Sequence, residues 1–284
     1  MSSATHAAAA GRPAPVVSHR ALALDAGAIA VVSVAIALAA HELVVMSIVI
    51  GLVIAARFAL WLRLPLAERG LGLGRDAALF VGLAVVGGFN DWNTVCAHRV
   101  YDYLVPVELP ELSTIPGWML VYWGLILRFV LTLSRSAALG APARPRNDVW
   151  LGPLARLFGP AHATGGVVHS AALKLGLELA LVVATRQLIY RLWDDPVLSW
   201  LPFAVALGFY ALWFRPGKYE LRLATLFALG GPVVEVLYIA AGLHRYALGW
   251  LGGVPVWILL WWVLGMLLVA DFGARLFARL APAA

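Results

Sequence analysis

Cut at its apolar runs, the chain places nearly all of its loop cations in alternate loops. Eight candidate spans fall at residues 21–40, 43–62, 77–96, 116–134, 167–190, 197–214, 223–243 and 254–274. One set of loops then carries Arg12 and Arg20, Arg63, Arg69 and Arg75, Arg135, Arg144, Arg146 and Arg156, Arg215, Lys218 and Arg222, and finally Arg275 and Arg279. The alternate set carries only Arg99, Arg191 and Arg245, and Arg57, Arg128, Lys174 and Arg186 lie within spans. The positive-inside rule produces this pattern in a polytopic helical membrane protein whose two termini are both cytoplasmic. The expected fold is therefore all-α, a transmembrane helical bundle of about eight spans in a cell membrane, most simply a bacterial inner membrane.

Composition agrees. A 284-residue chain that is 62% hydrophobic and 13% charged, with a mean hydropathy of +0.87, is too apolar for water. Its net charge of +6 is spread over many loops with no dense basic patch, which argues against nucleic acid as a partner and for contact with anionic lipid headgroups. The lone Cys96 excludes an intramolecular disulfide framework and any Cys-rich metal site. Residues 1–20 read as a disordered cytoplasmic tail. The first apolar run ends in Ala37-Leu38-Ala39, which resembles a signal-peptidase site, but its long polar leader and Asp25 favour a retained helix.

Residues 21–280 read as one transmembrane domain, with His41 and Glu42 in a tight turn between the first two spans and a Pro- and Gly-containing cytoplasmic linker at 135–166. Within that linker, residues 149–158 have the pattern of a short interfacial helix. No internal repeat is evident. Tryptophans and tyrosines gather near the span ends, as an interfacial aromatic belt requires. Trp261 and Trp262 lie deeper, where they fit either core packing or an aromatic wall for an apolar ligand.

Ionisable residues at membrane depth need a partner or a task. Span three offers Asp91, His98 and Asp102, which the spacings of seven and four put on one helical face, beside Asn90 and Asn93. Span seven offers Glu235, Tyr238 and Arg245 with His244 and Tyr246. Lys174 and Glu178 are spaced for an ion pair, and Arg128 is expected either to snorkel or to join them. For Asp91 and Glu235 two readings stand. They either form bundle-interior salt bridges, Glu235 with Arg186 or Asp91 with Arg245, or share an outward-opening polar pocket with Asn90, Asn93, His98, His244, Arg186, Tyr122 and Tyr238. The seven histidines are isolated, with no HxxxH or HxxHH spacing, so no metal and no other cofactor is expected. Nucleophile-elbow, P-loop and dinucleotide motifs are absent from the sequence.

The segment from Glu235 through Gly242, His244 and Tyr246 to Gly253-Val254-Pro255, Trp257 and Trp261 resembles the membrane carotenoid-biosynthesis hydratases of the bacterioruberin and myxol type. That resemblance implies acid-catalysed hydration of an isoprenoid double bond, with Glu235 as proton donor. The residues suit such chemistry. Burial favours a protonated carboxyl, Trp118, Trp257, Trp261 and Tyr238 would face a carbocation, and Asp91 with His98 or Asn93 would orient water.

The expectation is thus an integral membrane enzyme acting on an apolar lipid or isoprenoid substrate, with Glu235, Asp91, His98 and His244 catalytic and Tyr122, Tyr238, Trp118, Trp257, Trp261, Asn90, Asn93 and Arg186 holding substrate. Its partners are membrane lipids and an apolar small molecule, and its oligomeric state is open. The alternatives are a small-solute or ion transporter, for which Gly87-Gly88 and Gly230-Gly231-Pro232 are candidate helix breaks, and a non-catalytic assembly protein.

Overall fold

In a computed structural model the chain is a bundle of helices, described over residues 16–140, 146–152 and 166–280. The tail expected at 1–20 and the interfacial helix expected at 149–158 lie largely outside these residues. In chain order the helices are α1 (His19–Ala39), α2 (Leu43–Arg63), the single turn α3 (Leu66–Arg69), α4 (Leu73–Trp92), α5 (Gly117–Ser134), α6 (Ala171–Leu192), α7 (Leu201–Phe214), α8 (Lys218–Ala240) and α9 (Val256–Leu280). Two small antiparallel ladders close the ends: β1 (Tyr101–Tyr103) with β4 (His244–Tyr246), and β2 (Asp148–Trp150) with β3 (Val167–His169). Val149 and Trp150 therefore belong to a strand, not to a helix.

Local chemistry sets the ends. Ser18 and Ser170 cap α1 and α6 by accepting from Ala21 N and Leu173 N, each at 3.2 Å. Glu220 caps α8 by accepting from Gly217 N at 2.9 Å. Pro116 precedes α5, and Pro202 sits in the first turn of α7.

Six helical segments are long and apolar enough to cross a membrane: α1, α2, α3 with α4, α5, α8 and α9. The other two expected spans differ. With 14 residues, α7 is about 21 Å long, short of a hydrocarbon core of about 30 Å. In α6, Lys174, Glu178, Arg186 and Arg191 dilute the apolar run.

The connections nevertheless sort as the charges predict. At the arginine-rich end, Val17 bridges Ser136, Tyr219 donates to Ser134 O, and Arg75 donates to Leu280 O at 2.5 Å. The β1–β4 ladder lies at the opposite, arginine-poor end.

The bundle is organised around α5 and α9, the two most buried spans. Close approach of α4 to α5 depends on glycine, since a Cβ at Gly87 would sit 2.7 Å from Trp123 Cβ. Gly87-Gly88 is thus a packing seam in a continuous helix and not a break. The same holds for Gly231, where a Cβ would meet the Trp262 ring at 2.5 Å while α8 continues through Pro232.

Near the arginine-rich end, α1, α2, α4 and α5 are tied together by a buried quartet. Arg57 donates to Asp25 at 3.0 Å and also to Asp76. Arg128 donates to Asp76 at 2.9 Å and to Thr132 at 2.6 Å, and Thr132 donates to Asp25. Trp61 lies against both guanidinium groups, at 4.3 and 4.7 Å. Arg128 therefore neither snorkels nor joins Lys174, which pairs with Asp271 at 2.9 Å and with Glu178 at 3.6 Å.

Each quartet member is at most 3% exposed, so deleting one strands a charge. Asp76→Ala is expected to cost about 3–5 kcal/mol in detergent unfolding. Asp76→Leu with Arg128→Met, which leaves the neutral Asp25–Arg57 pair, should recover much of that loss. Additive losses in this double-mutant cycle would show that the four groups do not act as a unit.

Candidate ligand cavity

Where β1 and β4 pair, Tyr101 faces Tyr246, Asp102 faces Arg245 and Tyr103 faces His244. Strand side chains alternate sides, so one face of this two-stranded cap carries Tyr101, Tyr103, His244 and Tyr246 inward and the other carries Asp102 and Arg245 outward. Exposure agrees, since the Asp102 and Arg245 side chains are 60% and 67% exposed while His244 is buried. Gly242, at φ 74°, makes the turn that leads out of α8 into β4.

Under this cap lies a cavity of about 250 Å³ between α1, α5, α8 and α9. Tyr101, Tyr103, Glu235, His244 and Tyr246 line its polar end. Farther down, Tyr122 and Tyr238 join hydroxyls at 2.8 Å, and Ser33 bonds Tyr238 at 3.0 Å. Below them the walls are apolar: Ile126, Phe129, Val130 and Leu133 from α5, and Leu226, Phe227 and Gly230 from α8. Leu226 is also 42% exposed, so the cavity reaches the lipid-facing surface in its apolar half.

Both acids sit at the polar end and both are enclosed by donors. Asp91 accepts from Tyr101, from Tyr103 at 2.8 Å and from Trp123 Nε1 at 2.9 Å. Glu235 accepts from Trp262 Nε1 at 3.1 Å, Tyr246 at 3.1 Å and His244 Nε2 at 2.9 Å. They line a second, smaller space of about 30 Å³ with Asn90, Arg186, Trp257 and Trp261. Burial first, then the neighbouring carboxylates, push the Tyr101, Tyr103 and Tyr246 phenols well above their ordinary range, so all three remain donors. In the tautomer that donates to Glu235, His244 carries its proton on Nε2. In the neutral ring Nδ1 is then a bare acceptor, and it is buried with no protein partner.

The structure brings together Glu235, Asp91, His244, Tyr122, Tyr238, Asn90, Arg186, Trp257 and Trp261 around these two adjoining spaces. It does not bring in His98, Asn93 or Trp118. The α-helix ends at Trp92 and passes through a π-helical turn, Asn93–Ala97, so Asp91, His98 and Asp102 share no face. His98 stacks on Tyr190 with ring centroids 3.9 Å apart, and Asn93 donates to the Tyr190 hydroxyl at 2.9 Å. Trp118 packs with Ile115 and Met119 in the apolar cluster that also holds Tyr122 and Tyr238, but does not itself line either space.

The expected salt bridges are also absent. Arg186 donates to Asn90 Oδ1 at 2.9 and 2.5 Å and lies 4.1 Å from the Trp261 ring, while Arg245 reaches Asp102 at 3.4 Å. Sequence reasoning missed Tyr101, Tyr103, Trp123 and Trp262 as the groups that hold the acids. The signal was present as alternation, Tyr101-Asp102-Tyr103 and His244-Arg245-Tyr246, each aromatic in, charged out, aromatic in.

No protein-family model and no curated protein matches the chain. Two solved structures do. The mycobacterial Insig homolog MvINS from Mycobacterium vanbaalenii superposes with a TM-score of 0.53 at 20% identity, over 75% of this chain and 99% of that one. A cross-linked trimer of a cysteine variant of MvINS gives 0.52 at 21%, with the same coverage.

The chain has the Insig-like fold. That likeness to MvINS overturns the resemblance to carotenoid hydratases, which rested on a single local segment. The likeness shows the fold alone, and the role of Glu235 rests on its own geometry. A general acid must present a proton toward its substrate, whereas both Glu235 oxygens are occupied by protein donors.

Glu235→Gln should therefore act on folding. Its amide would oppose N–H to N–H or O–H against at least one of its three donors, at a cost of about 1–3 kcal/mol in detergent unfolding. Unchanged thermal stability would contradict this account of the polar end.

Proposed function

We propose that this chain is a non-catalytic integral membrane protein that binds one apolar chain of a neutral lipid, inserting it between α5 and α8 with its polar head beneath the β1–β4 cap. The observation that carries this reading is the gradient along the cavity, from phenols and His244 at one end to Phe129, Leu133 and Leu226 at the other. About 250 Å³ is small beside the roughly 300–1,000 Å³ of drug-sized sites, which suits one acyl or prenyl chain better than a whole lipid.

The head is neutral and bears a hydroxyl. Asp91 and Glu235 repel an anion, their donors are already engaged, and the unsatisfied His244 Nδ1 accepts from an O–H. The exposed edge at Leu226 makes the bilayer the source of the ligand. Loop charge supports an arginine-rich cytoplasmic end in a bacterial inner membrane.

The test is lipid extraction from protein purified in mild detergent, followed by titration with a fluorescent long-chain alcohol and with the matching fatty acid. The expected outcome is a co-purifying neutral lipid and preference for the alcohol. Val130→Trp should abolish binding by filling the apolar half, and His244→Phe should weaken the alcohol about fivefold, the worth of one hydrogen bond. Equal binding of acid and alcohol in both variants, with no lipid retained, would refute the proposal.

A further inference from the structure

The outward face of the same cap carries a second site that the central cavity does not explain. Cations at the arginine-poor end run against the charge bias of the chain: Arg99 precedes β1, Arg245 lies in β4 and Arg191 in the last turn of α6. Two of them, Arg99 and Arg245, line one external cavity of about 300 Å³ together with Tyr101, Asp102, Trp193 and Tyr246.

The two arginines are held differently. Arg245 is paired only with Asp102, at 3.4 Å, and both side chains are more than half exposed. Arg99 has no ion pair among the described residues. Its backbone is left-handed at φ 52°, a conformation that a long side chain rarely adopts. Hydrogen bonds on both sides pin it there, Arg99 N to Val95 O and Val100 N to Thr94 O, each at 3.1 Å. The turn between the π-helical segment and β1 thus fixes where the Arg99 guanidinium enters the cavity. Net charge in the cavity is positive, with two guanidinium groups against one carboxylate. Trp193 supplies an apolar wall, and indoles favour the headgroup level.

We propose that this cavity is an anion site for a phosphate oxyanion, carried by the headgroup of an anionic phospholipid in the leaflet at the arginine-poor end. Guanidinium groups present forked N–H donors that match phosphate oxygens, and Asp102 moderates the site by competing for Arg245. Tyr101 and Tyr246 form its floor and also line the central cavity, so the two sites share a wall but take different ligands. The proposal stands whether or not the central cavity binds a neutral lipid.

The experiment uses the full chain in a nonionic detergent, titrated with dihexanoyl phosphatidylglycerol, with dihexanoyl phosphatidylcholine and with inorganic phosphate, followed by thermal shift. Phosphatidylglycerol is expected to bind more tightly than phosphatidylcholine. Arg99→Gln and Arg245→Gln should each weaken it about fivefold, the factor expected for one arginine at an anionic surface. Asp102→Asn should tighten it. These exposed side chains can be changed without disturbing the bundle, which circular dichroism checks. If inorganic phosphate shows the same dependence on the variants and competes fully with the lipid, the occupant is a soluble phosphate and the oxyanion chemistry holds. Phosphatidylglycerol binding that is the same in the Arg99→Gln/Arg245→Gln double variant and in Asp102→Asn as in the parent chain would overturn the site.

Discussion

A bilayer offers no water to a buried polar group, so every charge inside the bundle must be matched by protein, and the matching fixes how the helices sit. The quartet of Asp25, Arg57, Asp76 and Arg128 is the clearest case. Each helix from α1, α2, α4 and α5 contributes one member, and removing any of the four helices would leave a net charge in a medium that cannot solvate it. With Trp61 covering both guanidinium groups, the quartet pins the lower ends of these helices. That anchorage sets the distance between α1 and α5 at the arginine-rich end, while the Ser33–Tyr238 and Tyr122–Tyr238 bonds set it nearer the cap. The apolar half of the cavity lies between these two fixed levels.

At the opposite end the carboxylates are held by side-chain donors other than arginine, with Arg186 beside them on Asn90. Asp91 and Glu235 take three donors each, chiefly phenols and indoles, and those donors come from β1, β4, α5 and α9. The acids therefore act as acceptor hubs that fold the short strands back over the bundle. His244 alone among these donors is left with a bare nitrogen. A cap assembled this way is polar on its inner face yet has little left to offer a ligand, and the neutral, hydroxyl-bearing head proposed above follows from that.

The class of fold and the sidedness of its loops were legible because loop arginines report topology one loop at a time, needing no knowledge of contacts. The meeting of Asp91 with Glu235 was legible for a similar reason, since neither has a local partner on its own helix. The quartet was not. Its four members lie far apart in sequence, with no helical spacing between any two, so Asp25 read only as a polar residue in the first apolar run, Asp76 drew no reading, and Arg128 read as snorkelling or joining Lys174 and Glu178. His98 and Asp102 were misplaced for the opposite reason: a helical period was extended across residues 93–102, where a π-helical turn and a strand reset the phase. Trp118 fits the aromatic pattern equally well, but a pattern of ring residues does not say which side of a helix faces a void. Charge in α6 was legible in part, since the pair expected between Lys174 and Glu178 is present at 3.6 Å. What the spacing did not show is the partner on another helix: Lys174 is closer still to Asp271 of α9, to which Arg275 also donates at 2.7 Å.

The contact between Gly231 and Trp262 shows how packing and polarity are coupled at the cavity wall. The Trp262 indole packs against the bare backbone of α8 at Gly231, one turn before Glu235, and its Nε1 donates to Glu235 Oε1 at 3.1 Å. A side chain at position 231 would push the ring outward and break that bond, exposing a carboxylate oxygen to the apolar half of the cavity. Gly231 before Pro232 thus does not mark a hinge; it is the recess that lets the Trp262 ring both line the cavity and donate to the acid. Proline at 232 removes one intrahelical donor, the one that would bond the Ala228 carbonyl, yet α8 continues through it. The same few residues therefore decide both the width of the void and the chemical state of its polar end.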